Sequence, residues 1–113
     1  IIVVMLETPK AINNVEKIAS VPGIDVLLVG TNDLCMEMGI PGEFNHNDVK
    51  EAYKKVIQAC NNNNILPGMG GVYDETLMHE YIDLGMKFIL SGSDLSFLVK
   101  GAEDRLNNLK NKG

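Results

Sequence analysis

The sequence contains no tryptophan, and aromatic residues of every kind make up only 5% of it. A stacking platform for bases or sugar rings is therefore not expected, since such platforms need several aromatic faces. Clustered positive charge is equally scarce. Ten Lys and Arg residues are scattered among fifteen Asp and Glu, for a net charge of −5 and a pI near 4.9. Holding a phosphate backbone needs a basic face, so nucleic acid is not an expected partner. No apolar run approaches the roughly 20 residues that span a bilayer. The longest, Ile1–Leu6, is strand-sized, and no membrane partner is expected. A charged n-region followed by a small-residue cleavage site is also missing, so no secretory signal is expected. The two cysteines, Cys35 and Cys60, form no CxxC pair and read as reduced thiols of a cytoplasmic protein.

What is present is a chain of 113 residues, 45% hydrophobic and 22% charged. That balance fits one soluble globular unit. The chain opens inside a β-branched apolar run, with no turn or cap before Ile1. The ladder groups of such a strand need a neighbour, so the expectation is a single partial segment, residues 1–113, of a longer domain.

Four repeats of an apolar run followed by a helical pattern organise the chain. Ile1–Leu6 reads as a parallel strand covered on both faces. Pro9 suits a first helical turn, Ala11, Ile12, Val15, Ile18 and Ala19 follow at helical spacing, and Val21-Pro22-Gly23 stops the helix. Ile24–Val29 is the second strand, followed by a loop with a short helical turn from Asn32 to Met38. A helix starts near Asn47 or Asp48 and ends in the Asn61–Asn64 tract, where Asn tolerates left-handed geometry. Ile65–Met69 and Phe88–Leu90 are the last two strands; Asp74 caps the helix between them, and a final helix covers roughly Leu95–Leu109.

Strand–helix alternation of this kind predicts an α/β fold with parallel strands. Two architectures fit: an open doubly wound sheet, or half of a closed eight-stranded barrel. The polar residues favour the barrel. Every strand runs into a polar or Gly-rich group, namely Glu7-Thr8, Gly30-Thr31-Asn32-Asp33, Gly70-Gly71 and Ser91-Gly92-Ser93-Asp94. In a barrel these strand ends converge on the catalytic face. No GxGxxG follows the first strand, so a dinucleotide site has no support.

Glu7 and Asp33 are the candidate chemical pair. Neighbouring parallel strands would bring both carboxylates to one rim, and hard cations such as Mg2+ or Mn2+ favour oxygen ligands while keeping open positions. The spacing alone leaves a bland alternative open, in which Glu7 pairs with a Lys or caps a helix and Asp33 is an N-cap.

The segment Leu6-Glu7-Thr8, Val21-Pro22-Gly23-Ile24-Asp25 and Gly30-Thr31-Asn32-Asp33-Leu34 resembles the HpcH/HpaI aldolase family, with its citrate lyase β-type relatives. The resemblance continues through Met38-Gly39-Ile40-Pro41-Gly42, Pro67–Asp74 and Ser91–Leu95, in order over essentially the whole chain. It implies the C-terminal half, strands five to eight, of a (β/α)8 barrel. It also implies a metal-dependent lyase that makes or breaks a carbon–carbon bond between a pyruvate-type 2-oxo acid and an aldehyde. Glu7 and Asp33 would then bind a divalent metal (Mg2+, Mn2+ or Co2+), and the loop Gly30, Thr31, Asn32 and Asp33 would hold the substrate carboxylate by backbone N–H groups. The family's Arg and His come from early strands outside this chain, so the catalytic residues themselves are not assigned and the isolated chain is expected to be inactive. A last helix exchanged between subunits implies a trimer or hexamer, with packing of that helix on its own barrel as the other reading. This chain departs from the family at Thr31-Asn32, where many members have Pro or Ala. It departs again at Gly70, where some place an apolar residue against the substrate methyl group.

Other features carry less. Arg105, the single Arg, falls in the last helix and reads as surface or interface. His46 and His79 read as capping or solvated residues rather than general bases, and Met36, Met38, Met69, Met78 and Met86 as core filler. Cys35 sits in the rim loop without an activating charge. Two competing functions remain: a non-catalytic half-barrel that binds metal or a 2-oxo acid or assembles with a partner, and a barrel enzyme for phosphate ligands using the Gly-rich rim at 67–71 and 91–93.

Overall fold

The computed structural model describes residues 1–111. Four strands, β1 (Val3–Leu6), β2 (Val26–Gly30), β3 (Leu66–Gly70) and β4 (Phe88–Ile89), form one sheet in the order β1-β2-β3-β4. All three pairings are parallel, with Leu6 opposite Val29, Gly30 opposite Gly70 and Met69 opposite Ile89. The helices are α1 (Pro9–Asn13), α2 (Val15–Ala19), α3 (Thr31–Glu37), α4 (Asn47–Asn63), α5 (Glu75–Leu84) and α6 (Asp94–Lys110).

The strand order bears on the two architectures that the sequence left open. A doubly wound sheet reverses its strand order, which sends helices to both faces. Here each strand is added beside the last without reversal. Crossovers of one hand then place every helix on the same face. The core bears this out. Leu6, Leu27, Val29 and Met69 point to one side and pack with Ile12, Val15, Leu34, Val56, Tyr53 and Tyr81 from α1 to α5. Val3, Met5, Val26, Leu28, Gly68, Gly70 and Phe88 alternate with them and belong to the other side. No helix of α1 to α5 covers that second face, and Val3, Met5 and Leu66 remain exposed.

Local chemistry fixes the element ends. Thr8 caps α1 by accepting from Ala11 N–H, Asp74 caps α5 by accepting from Leu77 N–H, and Asn64 closes α4 in the left-handed region at φ 55°. The first helix differs from the single run that its apolar spacing suggests, because it breaks at Asn14. The Asn14 side chain donates to Lys10 O at 2.8 Å and competes with the backbone ladder. Strands β1 and β4 are shorter than their apolar runs: Ile1 and Ile2 precede the paired residues, and only Phe88 and Ile89 pair in β4. The short helical turn expected after β2 is instead a seven-residue helix starting at once from Gly30. Met69 and Met86 are core residues as expected, but Met36 is 60% exposed, on the outer side of α3. No α6 residue is buried, although Leu95, Phe97, Leu98, Leu106 and Leu109 are apolar.

Candidate active site at the strand ends

Glu7 is the first residue beyond β1, and continuing the ladder sets it opposite Gly30. It follows Val3 and Met5 in the alternation, so its side chain rises on the face without helices. Its carboxylate arm lies directly over Gly30: a Cβ there would come within 2.7 Å of Glu7 Cγ and 2.8 Å of Oε1. The missing side chain at Gly30 is therefore the seat of Glu7. Gly30 then hands the chain to α3, which carries Asp33 in its first turn. Asp33 lines a shallow cavity of about 140 Å3 together with Gly30, Asn32 and Gly70, whose apolar wall is Met5, Leu28 and Leu90. Both carboxylates thus flank Gly30 at the C-terminal end of the sheet.

Neither carboxylate is a helix cap or an ion-pair partner, although Asp33 in the first turn of α3 also suits the helix dipole. Thr8, not Glu7, caps α1, and Gly30, not Asp33, is the cap position of α3. Among the described residues neither carboxylate joins an ion pair; the acidic partners are Asp25, Asp48, Glu80, Glu51 and Asp104. The bland readings of this pair, a Lys partner or an N-cap, are not what the geometry contains. Two oxygen-bearing groups fit part of the shell of a hard cation, which completes its coordination with water and ligand oxygens. No group of three or more His, Cys, Asp or Glu gathers anywhere among the described residues, so no protein-only cage exists there.

The substrate-loop candidates divide. Thr31 is fully buried, and its hydroxyl faces the core, 2.5 Å from Tyr53 Oη. Tyr53 stacks on Tyr81 with ring centres 4.1 Å apart, and Tyr81 donates to Phe44 O at 2.5 Å. Thr31 can therefore serve the site only through its backbone, whereas Asn32 and Asp33 face solvent. The first N–H groups of α3 have no acceptor within the helix, as at any helix start. Burial drives the Tyr53 hydroxyl far above its ordinary range, with the Thr31 bond opposing and Tyr81 and Cys35 adding to it. This hydroxyl chain was not foreseen from the sequence; two Tyr on different helices 28 positions apart carry no local signal.

The remaining candidates resolve plainly. Cys35 is not in a rim loop but inside α3, fully buried in the core. Burial, then Glu43, raises its thiol, the opposite of nucleophile activation. His46 caps α4 by accepting from Asp48 N–H at 3.1 Å, and His79 is exposed on α5, both as expected. Arg105 is exposed on α6, remote from the strand ends by position in the chain. Beside the Ser91–Ser93 rim, Ser93 N–H and the first-turn amides of α6 already have acceptors, Ser93 N–H donating to Ser96 Oγ. Ser96 N–H donates to Ser93 Oγ, Phe97 N–H to Ser93 O and Leu95 N–H to the Asp94 carboxylate. That carboxylate also repels an anion.

The family model described as HpcH/HpaI aldolase/citrate lyase matches residues 1–101. The chain is 38% identical over 105 residues to a 4-hydroxy-4-methyl-2-oxoglutarate aldolase of Chaetomium globosum, covering 91% of this chain and 39% of that protein. It is 33% identical over 102 residues to the 4-hydroxy-2-oxo-heptane-1,7-dioate aldolase of Klebsiella pneumoniae, covering 90% of this chain and 38% of that protein. Among solved structures, an HpcH/HpaI aldolase/citrate lyase family protein from Burkholderia cenocepacia superposes with a TM-score of 0.85 at 28% identity, over 96% of this chain and 42% of that one. The chain spans about two fifths of the length of these relatives.

Proposed function

The chain belongs to the HpcH/HpaI aldolase/citrate lyase family, and from that premise we propose that it supplies the metal-binding half of a class II aldolase. It would form strands five to eight of a (β/α)8 barrel, a single partial segment whose helix-free face turns to the barrel interior. The reaction makes or breaks a carbon–carbon bond between a pyruvate-like 2-oxo acid and an aldehyde. One observation carries the reading: two carboxylates that join no ion pair among the described residues, one just beyond β1 and one in the first turn of α3, flank Gly30 at the end of the sheet where barrel chemistry is done.

Glu7 and Asp33 would hold a divalent cation (Mg2+, Mn2+ or Co2+). When bound, such an ion offsets the negative charge that develops on the 2-oxo oxygen. The chain's own contribution is binding and orientation. Gly30 leaves room for the Glu7 arm, and the amides of Thr31, Asn32 and Asp33 point from a helix start at the substrate carboxylate. Leu28, Met5 and Leu90 keep the adjoining wall apolar. The proton-transferring His and the Arg belong to the other half of the barrel, so residues 1–113 alone are proposed to be inactive. The exposed apolar positions of α6 support a homo-oligomer, a trimer or hexamer, built through that helix. A cytoplasmic setting accords with the two free thiols.

Mn2+ titration of the chain, followed by calorimetry or by paramagnetic broadening of amide signals near Asp33, tests the reading. Glu7→Gln and Asp33→Asn should each weaken Mn2+ at least about tenfold, with unfolding midpoints unchanged. Equal affinity in both variants sinks the proposed site. Retro-aldol turnover by residues 1–113 with Mg2+ or Mn2+, abolished by Glu7→Ala, would refute the division of labour between the two halves.

A further inference from the structure

The interior face of the sheet is nearly bare of side chains where β2 and β3 end. Gly30 and Gly70 lie opposite each other in the ladder, and Gly68 precedes them by one interior position. The space above Gly30 belongs to Glu7, but the space above Gly70 is filled from the far side. Leu90, one residue beyond β4, stays in register by donating its N–H to Met69 O at 3.0 Å. Its side chain lies across Gly70, so that a Cβ at position 70 would meet Leu90 Cδ1 at 3.2 Å and Leu90 Cβ at 3.5 Å. Leu90 thus rests on β3 although it belongs to the next strand.

On this geometry, and resting on the function proposed above, we infer that Leu90 is the specificity-determining residue for the group on carbon 3 of the 2-oxo acid, with Gly70 as its seat. The proposed site commits the polar end of the ligand to the Asp33 end of the cavity, next to Gly30 over which Glu7 lies, so its carbon tail must lie along the apolar wall. That wall consists of Met5, Leu28 and Leu90. Leu28 is 1% exposed and has no surface left to offer. Met5 is exposed but unbranched and free to swing away. Leu90 is branched and anchored through its backbone, with 44% of its surface open. It is the one wall residue that presents both a fixed position and a free face, and its reach sets how long the tail can be.

The experiment uses the chain with saturating Mn2+ and three probes: pyruvate, 2-oxobutanoate and 2-oxopentanoate. Affinity in the parent chain should fall along that series. Leu90→Ala should raise the affinity for 2-oxopentanoate relative to pyruvate by about tenfold, the usual worth of a methylene-sized change in an apolar pocket. Gly70→Ala acts in the other direction. Its φ is not in the left-handed region, so the backbone tolerates Ala, and the new methyl pushes the tip of Leu90 into the cavity. 2-Oxobutanoate should then weaken relative to pyruvate. Unchanged ratios in Leu90→Ala, with pyruvate still bound, overturn the role of Leu90 and leave the aldolase reading standing. Mn2+ binding without affinity for any of the three acids in the parent chain overturns both.

Discussion

The two faces of this sheet are made by the same four strands and have opposite characters. On the helix-covered face Leu6, Leu27, Val29 and Met69 are at most 1% exposed and meet side chains from five helices. On the other, Met5 is 51% and Leu66 45% exposed, three glycines replace side chains, and two carboxylates stand at the rim. Three of its positions are glycine, and of its side chains only Val26 and Leu28, in the middle of the sheet, are buried. On the function proposed above, this face is half of an interior that other strands complete and the floor of the site, so stability and chemistry fall on opposite faces.

The largest effect should come from testing that division directly. Leu27→Ala removes a fully buried side chain from between β2 and α4 and is expected to cost about 3 kcal/mol. Met5→Ala, an equally drastic truncation on the bare face, should cost under about 1 kcal/mol. Urea unfolding of the two variants measures both. Similar losses would mean that the bare face already contributes packing in this chain, and the contrast drawn here would be wrong.

A second, smaller effect sharpens the comparison through pH. Cys60 lies fully buried on the covered face, and burial, partly offset by a hydrogen bond with the Leu27 backbone, raises its thiol from the ordinary 9.0 to about 11. Between those values the folded thiol keeps its proton while the unfolded one has lost it. The stability tied to this group is complete below pH 9 and declines through the window up to pH 11. The full loss is roughly 3 kcal/mol. Cys60→Ala should reduce the decline between pH 9 and 10, where the buried Cys35 thiol, also raised, adds its own share. An unaltered slope would show that Cys60 is not the group responsible.

How far the sequence disclosed this molecule follows the same division. The α/β class, the parallel strands and the capping roles of Asp74 and His46 are all legible from local chemistry, because periodicity and caps act over a few residues. The position of Glu7 and Asp33 at the strand ends was also legible, since Glu7 directly follows an apolar run and Asp33 lies a short step beyond the next. What escaped detection depends mostly on contacts between distant segments, the break at Asn14 being the local exception. Asn14 breaks a helix that its apolar spacing would continue, and Cys35, which follows a polar loop motif, turns inward to the core. The Leu90 side chain reaches over Gly70 from 20 positions away. The bond from Thr31 to Tyr53 is of the same kind, with both residues unremarkable in sequence and decisive only once α4 lies under α3.

That bond is also where the two faces communicate, and it gives the smallest effect and the most discriminating one. Thr31 is the first residue of α3, two positions before Asp33, and its hydroxyl is held from below by Tyr53 of α4. Tyr53→Phe keeps the ring and its stack on Tyr81 but leaves Thr31 only a long 3.5 Å contact to Val29 O. The expected cost is about 1 kcal/mol, that of one buried hydrogen bond. Thr31→Val should cost about the same, and the double variant little more than either alone, because both remove one interaction. If the covered face merely supports itself, Mn2+ affinity will not change in these variants. If the bond fixes the start of α3, and with it the Asp33 carboxylate, Mn2+ should weaken about two- to threefold in each single variant and no further in the double. A loss of stability with metal affinity intact would separate the two faces completely and confine Tyr53 to the core.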